Sequence, residues 1–317
     1  MTILKKFLVL VDGSERSIQT VNYVKDFMPI DENTRIVLFH VFDTKTEEIC
    51  QLEQSPTCID AVNQLKNRKA EQKSEIWWYL ERAKEILTKG GLPKQSIEIK
   101  LHVRKDGVAR DIINEAKKDY SAVIMRRRGL GALRRIILGS VAVKLLQSMT
   151  FIPILIVGQV PTNKKILLTI DASPSSKKAV EVIASLLGGH EYETCIFHAV
   201  TGLASINFNI SNTKALKVCE VEMPNNCVEA FKLKTAQLFN ATKDTLLSAG
   251  FASEKISKKI VTGVHSRALA IIEEAEEGGF STIVVGRRGL SKVEAFFMGR
   301  VGHQVVYGGD KFTVWVV

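Results

Sequence analysis

The sequence predicts an α/β protein made of two tandem, doubly wound domains, each built on a five-stranded parallel sheet. Three observations support this fold class. The chain has 317 residues, which is more than one hydrophobic core usually accommodates. It repeats itself once, and in each copy short β-branched runs alternate with longer stretches of helical period. We therefore expect residues 1–160 and 161–317 to form one domain each, packed as an intramolecular pseudo-dimer.

The repeat is visible near both ends of each copy. The segment "KKFLVLVDGSERS" at 5–17 matches "KKILLTIDASPSS" at 164–176, an offset of 159. The segment "VIMRRRGLGALRRIILGS" at 123–140 matches "IVVGRRGLSKVEAFFMGR" at 283–300, an offset of 160. Because the offset is nearly constant, the two copies share one plan along their whole length.

The first copy predicts strands and helices in strict alternation. Its strands are expected near 4–11, 35–42, 97–103, 121–126 and 153–158. Its helices are expected to open at Ser14, to run from about Thr57 to Lys89 and from Val108 to Lys118, and to begin around Gly139. This pattern is typical of a parallel sheet with helices on both faces.

The second copy predicts the same order of elements. Its strands are expected near 165–170, 194–200, 256–261, 281–286 and 312–317. Ser173 and Pro174 supply an N-cap and a first-turn proline for its first helix. The last strands of the two copies, "PILIV" at 153–157 and "TVWVV" at 313–317, would each leave an open sheet edge. We predict that these strands face each other across a pseudo-twofold interface.

Composition narrows the class of protein. No apolar run approaches the length of a membrane span, and the N-terminus lacks a signal-peptide pattern, so we expect a cytoplasmic protein. The five cysteines are expected to be thiols and not a disulfide framework. The formal net charge of +10 favours anionic partners. Sequence-specific nucleic-acid binding is not expected, because no recognition motif accompanies the charge.

The most informative motif lies at 286–300, where Gly286 closes a strand, Gly289 occupies the turn and Gly299 opens a helix. In open parallel sheets, ligands bind at the carboxyl ends of strands, next to helix N-termini that favour phosphate. Glycine permits the close backbone approach that such a cradle needs. The same glycines would also suit a tight strand-to-helix turn that binds nothing.

This G-x2-G-x9-G spacing, together with an acidic residue that ends the first strand of each copy, resembles the universal stress protein family. The resemblance covers nearly the whole chain twice and implies a Rossmann-like fold, ATP as ligand, with or without Mg²⁺, and a role in stress response. The nucleotide site that it implies comprises Asp171, Ala199, Gly286, Gly289 and Gly299. We add Arg287, Arg288 and Arg300 to this site, because they surround the same loops and their charge suits a polyphosphate. A weaker site in the first domain would use Asp12, Val41, Gly129, Gly139 and Ser140.

Each copy departs from the family motif at a different position. Arg126 stands where the second copy has Gly286, and Arg300 stands where the family has a small hydroxyl residue. An arginine at a helix start can still pair with phosphate, so the second copy is the better candidate. Asp12 and Asp171 have an alternative role as loop caps ahead of the following helices.

Cysteine and histidine also recur at matched positions. Cys50 and Cys58 are eight residues apart, as are Cys219 and Cys227, which suggests a redox-sensitive pair in each copy or a shared four-thiolate metal site. Small buried cysteines are the alternative. The matched residues His40 and His198 are expected to have a core or hydrogen-bonding role.

Two classes of function follow. The first is a nucleotide-responsive regulator, at most a slow ATPase, because no P-loop, nucleophile elbow or metalloprotease helix is present. The second is a scaffold that binds no nucleotide and recognises a protein or lipid partner, through the paired domains or the aromatic run "IWWYL" at 76–80. The protein partner is unknown, and a further homodimer stays open.

Overall fold

A computed structural model describes residues 4–43, 59–127, 138–159, 163–201, 225–288 and 298–317. The chain divides into two compact units, Met1–Arg126 and Arg127–Val317. The boundary between residues 160 and 161 that the repeat suggests stays a prediction. In the described part of the chain, no helix has the length and apolar character needed to cross a membrane.

The first unit is a parallel sheet with helices between its strands. Its strands are β1 (Lys5–Leu10), β2 (Thr34–Phe42), β3 (Ile97–Val103) and β4 (Ala122–Arg126). Its helices are α1 (Glu15–Phe27), α2 (Ile59–Lys89) and α3 (Val108–Ala116), with a 3₁₀ turn at Lys94–Ser96. The strand order is β3-β2-β1-β4, and all three pairings are parallel.

The second unit is also built of strands and helices. Its strands are β5 (Ile154–Val157), β6 (Lys165–Thr169), β7 (Glu193–Val200), β8 (Ile256–Thr262), β9 (Thr282–Val285) and β10 (Thr313–Val316). Its helices are α4 (Ser140–Ser148), α5 (Pro174–Leu187), α6 (Asn225–Ser248), α7 (Arg267–Glu277) and α8 (Arg300–Gly308), with a 3₁₀ turn at Ser253–Lys255. The strand order is β5-β10-β9-β6-β7-β8, parallel except for the pair of β5 with β10.

The antiparallel pair confirms the prediction for the two terminal strands. Leu155 lies opposite Trp315, and all residues of both strands are buried. The chain approaches itself closely just beyond this pair, because a Cβ on Gly158 would lie 2.2 Å from the carbonyl oxygen of Phe312. Each strand thus covers the edge that the other would expose.

The strands of the second unit have a topological switch point between β6 and β9. The connection through α5 leads from β6 to β7 on one side, whereas β9 pairs with β6 on its other side. Connections that leave adjacent strands in opposite directions open a crevice at the carboxyl ends of those strands, which is the usual ligand position in doubly wound sheets.

Candidate ligand site at the ends of strands β6 and β9

A cavity of about 480 Å³ opens at this switch point. Its volume lies within the range of about 300–1,000 Å³ that is usual for small-molecule sites. The residues that line it are Thr169, Ile170, Asp171, Ser173, Ser176, Phe197, Ala199, Thr201, His265, Ser266, Arg267, Ile271, Val285, Gly286, Arg288, Gly299, Arg300, Val301, Gly302 and Gln304. The carboxyl ends of β6, β7 and β9 and the N-termini of three helices contribute to this lining.

The three helix N-termini differ in their caps. In α5, the Ser173 Oγ accepts a hydrogen bond from the Ser176 N–H at 3.1 Å. In α7, the Ser266 Oγ accepts one from the Leu269 N–H at 3.3 Å. In α8 the N-cap is Gly299, which has no side chain to accept such a bond. The first turn of α8 lines the cavity with backbone donors that no N-cap side chain occupies, and such donors favour an anion.

Charge in the lining is predominantly positive. Arg267, Arg288 and Arg300 are exposed side chains that line the cavity, and His265 lies beside them. Asp171 is the one carboxylate among the lining residues, all of which lie in the described part of the chain. Three guanidinium groups around one cavity, together with the positive ends of helix dipoles, suit a ligand with several negative charges.

Asp171 shapes the loop between β6 and α5. Its Oδ1 accepts a hydrogen bond from the Ser173 N–H at 3.0 Å, and its own N–H donates to the Ser176 Oγ at 2.9 Å. In the first unit, Asp12 Oδ1 accepts from the N–H and Oγ of Ser14 at 3.0 and 2.6 Å. Both aspartates therefore act as loop caps, and Asp171 does so from the cavity wall.

Gly286 is needed for packing at the end of β9. A Cβ at this position would lie 2.9 Å from the backbone carbon of Ser175 and 3.0 Å from the Ser176 nitrogen, closer than side chains normally approach backbone. The Ser173 Oγ donates to the Arg288 carbonyl at 3.1 Å, which joins the same two segments. Glycine at 286 thus lets α5 approach the end of β9 and brings two cavity walls together.

In the first unit, the corresponding position carries the half-buried Arg126. Burial lowers the pKa of this guanidinium, and the nearby charge of Arg16 in the first turn of α1 lowers it further. A long cationic side chain thus lies near the helix start at the point where the second unit has only a glycine hydrogen.

Arg287 and Arg288 are adjacent, yet the structure directs their side chains to different places. Arg288 lines the cavity, whereas Arg287 is buried and absent from the lining. The Arg287 guanidinium donates to the carbonyls of Leu146 and Met149 at the end of α4, with 2.7 Å for Met149. Burial, with a smaller effect of Arg288, lowers its pKa to about 10, so it stays charged at neutral pH. This differs from the sequence prediction, and we leave Arg287 out of the candidate site.

The other predicted site residues are placed as follows. Gly289 and Gly129 lie outside the described residues. Ala199 lines the cavity. Val41 is half-buried on β2 opposite His102, Gly139 is the N-cap of α4, and Ser140 is the exposed first residue of that helix.

The cysteine prediction falls mostly on residues that the structure does not describe. Cys50, Cys58 and Cys219 lie outside the described residues, and Cys227 is exposed on α6. Within the described ranges, no group of three or more histidine, cysteine, aspartate or glutamate side chains is arranged to hold a metal ion. The paired-cysteine hypothesis stays a prediction.

The two matched histidines have matched hydrogen bonds. His40 Nδ1 lies 2.7 Å from the Val11 carbonyl oxygen, and His198 Nδ1 lies 2.7 Å from that of Ile170. Burial lowers the pKa of both rings, and the backbone hydrogen bonds oppose this effect only in part. Neutral imidazoles that donate from Nδ1 tie the loops after β1 and β6 to the neighbouring strands, in agreement with the expected hydrogen-bonding role.

Sequence reasoning missed the contribution of the loop between β8 and α7. This loop brings His265, Ser266 and Arg267 to the cavity. The available signal was positional, since the segment follows the carboxyl end of a parallel strand and contains an N-cap serine. The family motif does not extend to this loop, and for that reason the motif alone did not identify it.

Comparison with known proteins gives consistent results for both repeats. The family model described as the universal stress protein family matches residues 4–158 and again residues 162–317. The universal stress protein YxiE of Bacillus subtilis (strain 168) is 29% identical over 143 residues, which is 44% of this chain and 90% of that protein.

Solved structures resemble the chain over its full length. A universal stress protein from Archaeoglobus fulgidus DSM 4304 aligns with 98% of this chain and 97% of its own, with 19% identity and a TM-score of 0.62. Another protein described as a universal stress protein, from Pseudomonas aeruginosa UCBPP-PA14, aligns with 99% of this chain and 93% of its own, with 14% identity and a TM-score of 0.54. These likenesses show the fold, and the two family matches show that the chain belongs to the universal stress protein family as a tandem member.

Proposed function

We propose that the second repeat binds an adenine nucleotide, ATP with or without Mg²⁺, in the cavity at β6 and β9, and that the protein acts as a nucleotide-responsive regulator in a stress response. The observation that carries this proposal is the first turn of α8, which presents amides without a side-chain cap to a cavity lined by three arginines. Polyphosphate is the chemistry that satisfies both features at once.

Residues divide naturally between the two ends of such a ligand. Gly286, Arg288, Gly299 and Arg300 would hold phosphate, because they surround the N-terminus of α8. Asp171 and the apolar wall with Ala199 would face the nucleoside, as the family resemblance implies. A magnesium ion would arrive with the phosphates, since a single lining carboxylate does not make an all-protein magnesium site.

The proposal does not extend with equal weight to the first repeat. Arg126 occupies the position of Gly286, and its side chain lies near the charge of Arg16. The weaker site built on Asp12, Val41, Gly129, Gly139 and Ser140 stays a prediction.

The test is calorimetric titration of the full chain with ATP and magnesium, with one matched pair of variants. Arg300 and Ser140 are the first residues of α8 and α4, and both are exposed. Arg300→Glu places a negative charge at the proposed phosphate site, so we expect affinity to fall at least about tenfold. Ser140→Glu makes the corresponding change in the first repeat and is expected to leave affinity within about twofold.

Three results would contradict the proposal. Absence of binding to the folded wild-type chain would remove it. Equal loss in both variants would indicate a general charge effect, and loss in Ser140→Glu alone would move the site to the first repeat. Circular dichroism of each variant checks that the fold is unchanged.

A second candidate function, a binding module, is favoured by the aromatic pair on α2. Trp77 and Trp78 are 45% and 57% exposed, and the Arg82 guanidinium lies 5.4 Å from the Trp78 ring centroid. Exposed tryptophans of this size are enriched at protein interfaces. In affinity capture with the full chain as bait, the Trp77→Ala/Trp78→Ala variant should lose a partner that Arg300→Glu retains. A partner set unchanged by the tryptophan substitutions would count against this role.

A further inference from the structure

Arg127 and Arg287 stand at matching positions just after β4 and β9, with Gly286 between β9 and Arg287, and they make matching long-range contacts. The Arg127 guanidinium donates to the carbonyls of Val306 and Gly309, at the end of α8, with 3.3 Å for Gly309. The Arg287 guanidinium donates to Leu146 and Met149, at the end of α4. Each arginine therefore reaches the last helix of the other sequence repeat. Both residues are only 5% exposed.

The physical role of these contacts follows from the helix ends. The last carbonyls of an α-helix have no partner within the helix, and the backbone dipole places partial negative charge there. A buried guanidinium satisfies two such carbonyls with charge-assisted hydrogen bonds and is itself compensated for lost hydration. Removing either side chain would leave the carbonyls of one helix end without these donors.

Helices α8 and α4 differ in whether their N-terminal ends line the cavity. The first turn of α8 lines the cavity with Arg300, Val301 and Gly302, whereas no residue of α4 belongs to the lining. A nine-residue helix is about 13 Å long. The Val306 and Gly309 carbonyls that Arg127 binds therefore lie at the end of α8 away from the cavity, and neither residue belongs to the lining. Because a short helix is rigid, fixing the position of one end also fixes the position of the other end.

The N-terminus of α8 has a separate attachment. The Gly299 N–H donates to the Arg287 carbonyl at 2.7 Å, and the Arg287 N–H donates to the Val317 carbonyl at 2.6 Å. These are backbone contacts that persist when the Arg287 side chain is changed. Helix α8 is therefore held at its start by the backbone of Arg287 and at its end by the side chain of Arg127.

We propose that Arg127 is a positioning residue for the ligand site of the second repeat: it fixes the C-terminal end of α8 so that the first turn of that helix presents its amides to the cavity. Arg127 directly follows Arg126, the residue that interrupts the glycine motif of the first repeat. A residue of the first motif thereby supports the ligand site of the second repeat. This inference rests on the proposed nucleotide binding for its affinity readout, but its structural part can be measured without any ligand.

The experiment compares Arg127→Met with Arg287→Met in the full chain. The two side chains are equally buried and bind equivalent carbonyls, so their general contribution to stability is matched. Hydrogen exchange followed by mass spectrometry should show faster exchange across α8 in Arg127→Met and across α4 in Arg287→Met. Titration with ATP and magnesium should show affinity reduced about fivefold or more in Arg127→Met and unchanged within about twofold in Arg287→Met. Arg127→Lys keeps the positive charge but lacks the two guanidinium nitrogens that bind two carbonyls at once. Its affinity for ATP should lie between those of wild type and Arg127→Met.

The outcomes separate this inference from the proposed function. If wild type binds no ATP, the proposed function fails, and the exchange rates of α8 still decide whether Arg127 positions that helix. Unchanged exchange in α8, or equal loss of ATP affinity in both methionine variants, would overturn the inference. If Arg127→Met does not fold, Arg127→Lys and Arg287→Lys form the same comparison.

Discussion

The two glycine motifs of this chain have one ancestral spacing and two different outcomes. In the second repeat, Gly286 lets α5 approach the end of β9, and a cavity forms between them. In the first repeat, the same position holds Arg126, half-buried and close to the charge of Arg16. At the end of this strand, the second repeat thus has a glycine in a cavity wall and the first has a half-buried arginine. The comparison teaches that in a duplicated fold each copy must be judged on its own residues.

The helix starts that follow the two motifs differ in the complementary way. Ser140 keeps the small hydroxyl of the family pattern at the start of α4, and Arg300 replaces it at the start of α8. The first repeat thus has a serine, Ser140, at the helix start but an arginine, Arg126, at the strand end. The second repeat has a glycine, Gly286, at the strand end and an arginine, Arg300, at the helix start. An arginine at a helix start offers phosphate a different contact from a hydroxyl, through the charge and N–H groups of its guanidinium.

The largest effect that would test this comparison is expected for Gly286→Ala. Its Cβ would meet the backbone of Ser175 and Ser176 at 2.9–3.0 Å, and backbone atoms cannot move aside as a flexible side chain can. We expect a loss of about 2–3 kcal/mol in the free energy of unfolding without ligand. Urea denaturation of the full chain measures it.

Gly302→Ala is the matched control for this substitution. Its Cβ would lie 3.3 Å from the Met298 Cγ, a side-chain atom that can shift, and the added methyl raises helix propensity within α8. This variant should be neutral or slightly stabilised. If Gly286→Ala were equally neutral, packing would not explain the glycine, and close approach of a ligand would become the better explanation.

Much of the fold could be predicted from the sequence, because the signals are local. Strand β3 was expected at 97–103 and is found there, and α1 begins after the expected cap Ser14. Periodicity and capping act over a few residues and are visible in any short window. The pairing of β5 with β10 was predictable for another reason, since two open sheet edges in one chain require cover.

The site was predictable only in part. The motif identified Gly286, Arg288, Gly299 and Arg300, which do line one cavity. It could not separate Arg287 from Arg288, because neighbouring side chains in a turn take directions that only the tertiary packing decides. The bonds of Arg287 join residues 141 and 138 positions apart along the chain. No local pattern carries that information.

A second difference between the repeats concerns a buried carboxylate and predicts a smaller effect. The Glu115 carboxylate in α3 accepts hydrogen bonds from Lys100, Lys118 and Tyr120, all at 2.8–2.9 Å. In the second repeat, Glu274 in α7 pairs with Lys259, and Phe280 replaces the tyrosine. Burial raises the pKa of Glu115, but the three donors outweigh it and lower that pKa from 4.5 to about 2.

The sign of the pH dependence follows from this shift. Because the pKa of Glu115 is lower in the folded chain than in the unfolded chain, the unfolded state takes up its proton first as pH falls. The stabilisation is complete above about pH 5 and is lost as pH falls through 4.5 toward 2. We expect wild type to lose about 1 kcal/mol from this group by pH 3.5, and Glu115→Gln to lack that loss.

Tyr120→Phe tests the same difference between the repeats, because it gives the first repeat the phenylalanine that the second repeat has at position 280. It removes one neutral donor from Glu115 and leaves both lysines, so at pH 7 we expect a cost of about 1 kcal/mol, less than for Glu115→Gln. Urea midpoints at pH 7 and pH 3.5 measure both variants. If Tyr120→Phe cost as much as Glu115→Gln, the lysines would contribute little. The contrast between the repeats would then depend on the tyrosine alone, and the low pKa of Glu115 would need another cause.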